Sequence, residues 1–255
     1  MTSTTSSYFD ALRRILEHVE STQQGAIAAA ARVTADSLAA GGMIHVFGTG
    51  HSHMLAEEVF FRAGGLVPVN AILDGGLMLH VSALRSTDLE RLEGYAAIVL
   101  DRYELRAGDV LVIASNSGRN AVPIEAALVA RQRGLTVIAL TSAAAYAGAT
   151  VRHSGGRRLA ELADVVIDTC VPKGDAILAL PGLPHAMGAA STVVGAAVIQ
   201  AYIMETVQEL QRRGHTPEVI VSANVADLRS ADLESADPQD LDRLFARYAQ
   251  RIRHK

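Results

Sequence analysis

Two short stretches carry most of the chemistry-bearing residues of this 255-residue chain. One is Ser115-Asn116-Ser117-Gly118-Arg119-Asn120; the other is Gly48-Thr49-Gly50-His51-Ser52-His53. Each follows an apolar run, Asp109–Ala114 or Met43–Phe47, and each leads into a segment of helical spacing. A Gly-containing turn between strand and helix presents successive backbone N–H groups where the helix dipole favours an anion. Hydroxyls and side-chain amides add donors without adding charge, and Gly118 lets the backbone approach closely. A lone Ser or Asn here would be an ordinary helix cap. Two Ser, two Asn and a Gly within six residues, beside Gly-x-Gly-x-Ser, point instead to a phosphate monoester. The candidate contacts are Gly50, Ser52, His53, Ser115, Asn116, Ser117, Gly118 and Asn120. Arg119 would hold a second acidic group or pair with a carboxylate.

Other chemistries fit less well. The dinucleotide fingerprint fails because its third Gly position is His53 and no acidic residue ends the second strand. No Walker A motif is present. His51 and His53 have no third metal ligand close in sequence, so no metal and no cofactor are expected. Cys170 is alone, which excludes an intrachain disulfide or a Cys-rich zinc site. A net charge of −4 argues against nucleic acid. Aromatic residues are only 4% of the chain, with no Trp, so a small polar ligand must be held by backbone groups and hydroxyls rather than by stacking.

The elements that must position these residues alternate. Helices are expected at 8–22 and 24–40, a strand at 43–47, a helix at about 53–63 and a strand at 66–70. Further strands are expected at 109–114, 135–141 and 163–169, with a helix at 121–133 that tolerates Pro123 in its first turn. A long helix follows at about 186–213, then a possible edge strand at 218–221 and a charged helix at 238–253. The 19 uncharged residues from Ala186 to Met204 reach membrane-span length but are mostly Ala, Gly and Val, and so predict a buried helix. No secretory signal is apparent at the N-terminus, and a soluble, cytoplasmic protein is expected. This alternation predicts a three-layer αβα sandwich around a five-stranded parallel sheet. Its parts are N-terminal helices at 1–42, a core at 43–213 and a tail at 214–255. In such sheets ligands bind beyond the carboxyl ends of the strands, where both turns lie.

Two N-terminal helices, strand plus Gly-x-Gly-x-Ser, strand plus Ser-x-Ser-Gly, and the Ser191-Thr192 pair entering a long helix resemble the sugar isomerase (SIS) domain over about residues 8–213. The turns are similar to those of an uncharacterised bacterial branch. The resemblance implies a flavodoxin-like SIS fold and phosphosugar binding, with Ser52, Ser115, Ser117 and Asn120 holding phosphate. It also implies homodimers or homotetramers with active sites at subunit interfaces. Phosphoheptose isomerase, N-acetylmuramic acid 6-phosphate etherase and non-catalytic phosphosugar sensors are the models. Ser117-Gly118-Arg119 matches the etherase pattern, but Asn120-Ala121 replaces its Thr-Pro. The His that phosphoheptose isomerase carries inside its last long helix is absent between His185 and His215. Aldose–ketose isomerisation through an enediol needs a base beside the carbonyl carbon and an acid near its oxygen. Glu57 and Glu58, after the first turn, are the candidate bases; His51, and His185 in Pro181-Gly-Leu-Pro-His185, are the candidate acid or ring-opening groups.

Overall fold

The computed structural model describes residues 3–221 and 245–254. Helix α1 (Thr4–Ala39) precedes strand β1 (Ile44–Gly48), α2 (Met54–Val59) and β2 (Val69–Ile72). Then come α3 (Ala83–Leu89), α4 (Tyr95–Leu100), β3 (Val110–Ala114), α5 (Ala121–Gln132) and β4 (Thr136–Thr141). After the short α6 (Ala143–Tyr146) come β5 (Val165–Asp168), β6 (Ala176–Leu178), β7 (Met187–Ala189) and α7 (Ser191–Arg212). The main sheet runs β2-β1-β3-β4-β5 and is parallel throughout.

Strand side chains alternate between two covered faces, which is why β3 reads as an unbroken apolar run and β1 as one broken only by His45. Val46, Val112 and Leu140 pack with Leu55, Val59, Val198 and Tyr202 on the α1–α2–α7 side. Phe47, Ile113 and Ala139 pack with Leu100, Val122 and Ile124 on the α4–α5 side. The register sets Gly48 beside Ala114, so the β1 and β3 turns start side by side.

The structure corrects several expected boundaries. The two expected N-terminal helices are one helix of 36 residues. Gly25 sits within it facing open space; a mid-helix Gly costs only about 1 kcal/mol, which packing of α1 along α7 outweighs. Thr34 of α1 and Tyr202 of α7 are buried and their hydroxyls hydrogen-bond at 2.7 Å. The first turn is a 3-10 segment, Gly50–His53, and α2 ends at Val59 because Phe60 is extended and Phe61 has φ +49°. β2 starts after Pro68, which has no N–H to donate. The upstream Leu66–Val67 instead meets 218–220, Val67 N–H donating to Glu218 O at 2.9 Å. The expected edge strand at 218–221 is therefore a single antiparallel bridge, Leu66 to Val219.

The largest difference lies at 176–191. The expected helix start at 186 is the returning strand of a β6–β7 hairpin, with Gly188 at φ +77° against the Tyr8 ring. Asp175 then caps α7, its carboxylate accepting from Ala190 N at 3.0 Å, Ser191 N at 2.7 Å and Ser191 Oγ at 2.8 Å. No helix of the described residues is long and apolar enough to cross a membrane. Most of the expected helix at 238–253 lies outside the described residues; within them only 245–247 are helical.

The segment after it packs under the sheet, at the edge opposite the two turns. Arg251 donates to the Asp109 carboxylate, which also accepts from Met43 N at 3.0 Å and Arg106 N at 2.8 Å. His45 Nε2 lies 3.2 Å from Asp109 Oδ2, and Asn70 Nδ2 lies 3.3 Å from His45 Nδ1. All four side chains are buried. Burial alone would raise the Asp109 pKa; the hydrogen bonds from His45, Arg251 and the Arg106 N–H overcome it and hold the carboxyl at about 2.

Candidate functional site

Strand order 2-1-3-4-5 has its topological switch between β1 and β3: the chain leaves β1 toward α2 on one face and β3 toward α5 on the other. A crevice opens where two such connections diverge. The β1 turn is tight, since a Cβ on Gly48 would lie 2.4 Å from Ser52 O. The β3 turn is closed by Gly118 N–H donating to Ser115 Oγ at 3.2 Å. Gly118 has φ +58°, and a Cβ there would lie 2.9 Å from Thr141 Oγ1.

Between the turns and the start of α7 lies a narrow cleft. Its polar wall is His51, Ser52, Ser115, Asn116, Thr169, Ser191 and Thr192, with Leu55 and Gly195 behind. Asn116 Oδ1 and Thr169 Oγ1 are buried there without a hydrogen-bond partner among the described residues. Buried polar atoms are normally satisfied, so two orphans in one wall mark a place where water or ligand completes the bonding. The α7 N-terminus, 22 residues long and directed at the same space, adds the positive end of its dipole. A Cβ on Gly195 would lie 2.8 Å from Leu55 Cδ1, so this Gly lets α7 close against α2 behind the cleft.

The sequence candidates divide. Ser52, Ser115, Asn116 and His51 line the cleft. Ser117 is half-buried on the turn but outside that wall. Asn120 is turned away: its Nδ2 donates to Glu90 Oε1 at 2.7 Å and its Oδ1 accepts from Arg152 at 3.2 Å. Glu90 Oε2 accepts from Thr49 Oγ1 at 3.0 Å. One carboxylate thus joins the β1 turn to the β3 turn. Sequence reasoning missed Glu90, Thr49 and Thr169; Glu90 lies at the end of a short helix with nothing in its local pattern to mark it. Arg119 meets no described carboxylate and donates to Thr150 O at 3.4 Å.

The acid–base candidates lie outside the wall, His51 excepted. His53 is buried, with Nδ1 against Gly50 O and Nε2 3.3 Å from Glu57 Oε2. The Glu57 side chain is 48% exposed and pairs with no Lys or Arg among the described residues. Glu58 is held twice, by Arg62 at 3.0 Å and by Gln200 Nε2 at 3.1 Å. His185 is exposed in the β6–β7 loop. Among the described residues one group has metal-ligating proximity: Glu93, Glu125 and His153. His153 Nδ1 accepts from Gly155 N at 3.1 Å, which in a neutral ring leaves the hydrogen on Nε2, the atom facing Glu125 at 3.7 Å. A metal ligand would need the lone pair there, so the group does not suit an ion.

This crevice, at the switch of a 2-1-3-4-5 sheet with two hydroxyl-bearing turns, is the arrangement of a known class. A model of the SIS domain matches residues 7–142, and the chain belongs to that family. More particularly, it is 40% identical over 250 residues to a UPF0309 protein of Caldanaerobacter subterraneus subsp. tengcongensis, covering 97% of this chain and 98% of the relative. A UPF0309 protein of Halalkalibacterium halodurans is 44% identical over 230 residues, covering 89% and 95%. Among solved structures, phosphoheptose isomerase from Francisella tularensis is similar in fold, with a TM-score of 0.55 at 18% identity, covering 82% of this chain and all of that one. The sugar isomerase domain of an RpiR transcription factor from Sphaerobacter thermophilus gives a TM-score of 0.50 at 19% identity, covering 83% and 94%.

Proposed function

We propose that the chain binds a sugar phosphate in the β1–β3 cleft and interconverts its aldose and ketose forms through an enediol. The observation that carries the binding reading is the cleft wall itself, where hydroxyls, an amide and two helix-opening backbones converge without a single carboxylate. Such a wall suits a dianionic group, which carboxylates would repel. The phosphoheptose isomerase likeness supports the chemistry. In this reading Ser52, Ser115, Asn116 and Ser117 hold the phosphate, and Asn120 frames the turn. Glu57 takes the proton from the carbon beside the carbonyl and returns it to the adjacent carbon. His51 or His185 donates a proton to the carbonyl oxygen and recovers one from the neighbouring hydroxyl as that oxygen becomes the new carbonyl.

Glu57 is preferred over Glu58 because two partners already hold Glu58. Glu57 and His185 lie outside the wall, so the reading expects a homodimer or homotetramer in which a second copy completes each site. A non-catalytic phosphosugar sensor is the second reading, favoured by His51 being the one titratable group in the wall. Elimination of a substituent from an amino-sugar phosphate is the third outcome of the same test.

The test is to incubate the protein with a panel of sugar phosphates in D₂O and follow the C2 proton by NMR. Exchange with aldose–ketose conversion supports the isomerase, exchange with loss of a substituent supports a lyase, and thermal stabilisation without exchange supports a sensor. If no sugar phosphate raises Tm, the cleft is not a phosphate site. A Ser115→Ala/Ser117→Ala variant is expected to lose the Tm shift while staying folded.

A further inference from the structure

Three arginines surround the Glu90–Asn120 link on the α5 side of the β3 turn. Arg91 follows Glu90 in the chain and Arg119 precedes Asn120. Arg152 donates through Nη1 to Asn120 Oδ1, and its backbone N–H donates to Arg119 O at 2.8 Å. Arg91 and Arg152 are exposed and Arg119 is half-buried. The guanidiniums feel one another: burial first, then the charges of Arg119 and Arg91, pull the Arg152 pKa below its ordinary value, with Glu90 the opposing charge. Glu90 is already committed to Thr49 and Asn120. The nearby Glu93 and Glu125 accept from Ser154 and Gly94 N–H groups instead of from arginine. None of the three arginines has a carboxylate within 4 Å among the described residues. Their guanidinium N–H groups are largely unassigned, and each guanidinium carries five.

Three guanidiniums set around one carboxylate, Glu90, and paired directly to none leave an excess of positive charge at the sheet's ligand-binding edge, which suits an anion from outside. We propose that Arg91, Arg119 and Arg152 form a second anion subsite beside the cleft, for a phosphate or carboxylate group. This rests on the proposed sugar-phosphate cleft and narrows its substrate class to doubly acidic sugar phosphates. The second group sits at the far end of the same ligand, on the opposite side of the β3 turn from the first.

Calorimetric titration at fixed ionic strength tests it. The probes are fructose 6-phosphate, fructose 1,6-bisphosphate and inorganic phosphate, and the proteins are wild type, R91Q/R152Q, S115A/S117A and the combination of all four changes. Wild type is expected to bind the bisphosphate about tenfold or more tighter than the monophosphate, as one or two charge-assisted hydrogen bonds give. R91Q/R152Q is expected to bring that ratio near one, and R91K/R152K to keep part of it. If the bisphosphate shows no advantage but S115A/S117A protein binds inorganic phosphate through Arg91 and Arg152, the subsite stands and takes a free anion. If neither the ratio nor phosphate binding responds to R91Q/R152Q, the subsite is overturned. A wild-type protein blind to fructose 6-phosphate would instead defeat the cleft reading, while the inorganic phosphate arm still decides the arginines. Should R91Q/R152Q fail to fold, R91Q alone, at an exposed side chain, gives the same comparison.

Discussion

Arg251, in the last turns of the chain, donates to the Asp109 carboxylate at the foot of β3, across 142 residues of sequence and almost wholly out of solvent. The pair ties the C-terminal segment to the edge of the sheet that lies away from the cleft. Removing one partner of a buried pair strands the other, at a typical cost of about 3–5 kcal/mol. Arg251→Ala is expected to lower unfolding free energy by about that much in urea titration. Sugar-phosphate affinity of the folded fraction should not change.

The same carboxyl sets an acid limit. An acid whose folded pKa lies below its unfolded value stabilises the fold above the unfolded value and loses that stabilisation as pH falls. For Asp109 the loss runs from about 3.8 down to about 2. It amounts to on the order of 2 kcal/mol. Asp109→Asn is expected to be less stable at neutral pH and to show a flatter decline below pH 4, read by chemical unfolding at stepped pH.

Gly48 and Gly25 make a matched pair. A Cβ at Gly48 would meet Ser52 O at 2.4 Å, whereas nothing lies within 4 Å of one at Gly25. Gly48→Ala is expected to displace the β1 turn, lower Tm and abolish the sugar-phosphate Tm shift. Gly25→Ala is expected to stabilise by about 0.5–1 kcal/mol, as removing a mid-helix Gly does.

Glu90 accepts from both turns, and an alanine can accept from neither. Glu90→Ala is expected to weaken sugar-phosphate binding through loss of turn alignment and to cost about 1–3 kcal/mol for the unsatisfied donors. Paired Tm and titration measurements separate the two effects.

Tyr202 is fully buried, and burial raises its phenol pKa while Thr34 and Thr206 oppose the shift. Since Thr34 Oγ1 donates to Ala30 O, the Tyr202 hydroxyl is the donor to Thr34. Tyr202→Phe is expected to cost about 1 kcal/mol, one ordinary hydrogen bond, in thermal unfolding.

The sheet was legible because both faces of a parallel strand are covered, so β3 is apolar at every position and β1 and β4 are broken only by His45 and by the terminal Thr136 and Thr141. The two turns were legible because Gly, Ser and Asn cluster where strand gives way to helix. The β6–β7 hairpin was not: Met187-Gly188-Ala189 runs into α7 with no charge or Pro between them, and only the Asp175 cap shows where the helix starts. The unbroken α1 was hidden for the opposite reason, since Gly25 looks like a boundary and its cost is outweighed by α7.

The sequence by itself determined the layering, the five parallel strands of the main sheet and the two polar turns, because these follow from local periodicity and backbone chemistry. Only the tertiary structure decided that Asn120 faces Glu90 rather than the cleft, that Thr169 joins the wall, and that Glu58 is held by Gln200. It also decided that Arg251 reaches Asp109. Those are contacts between residues 30 to 142 positions apart. No local pattern encodes them, since they depend on which strand ends the folded sheet sets side by side.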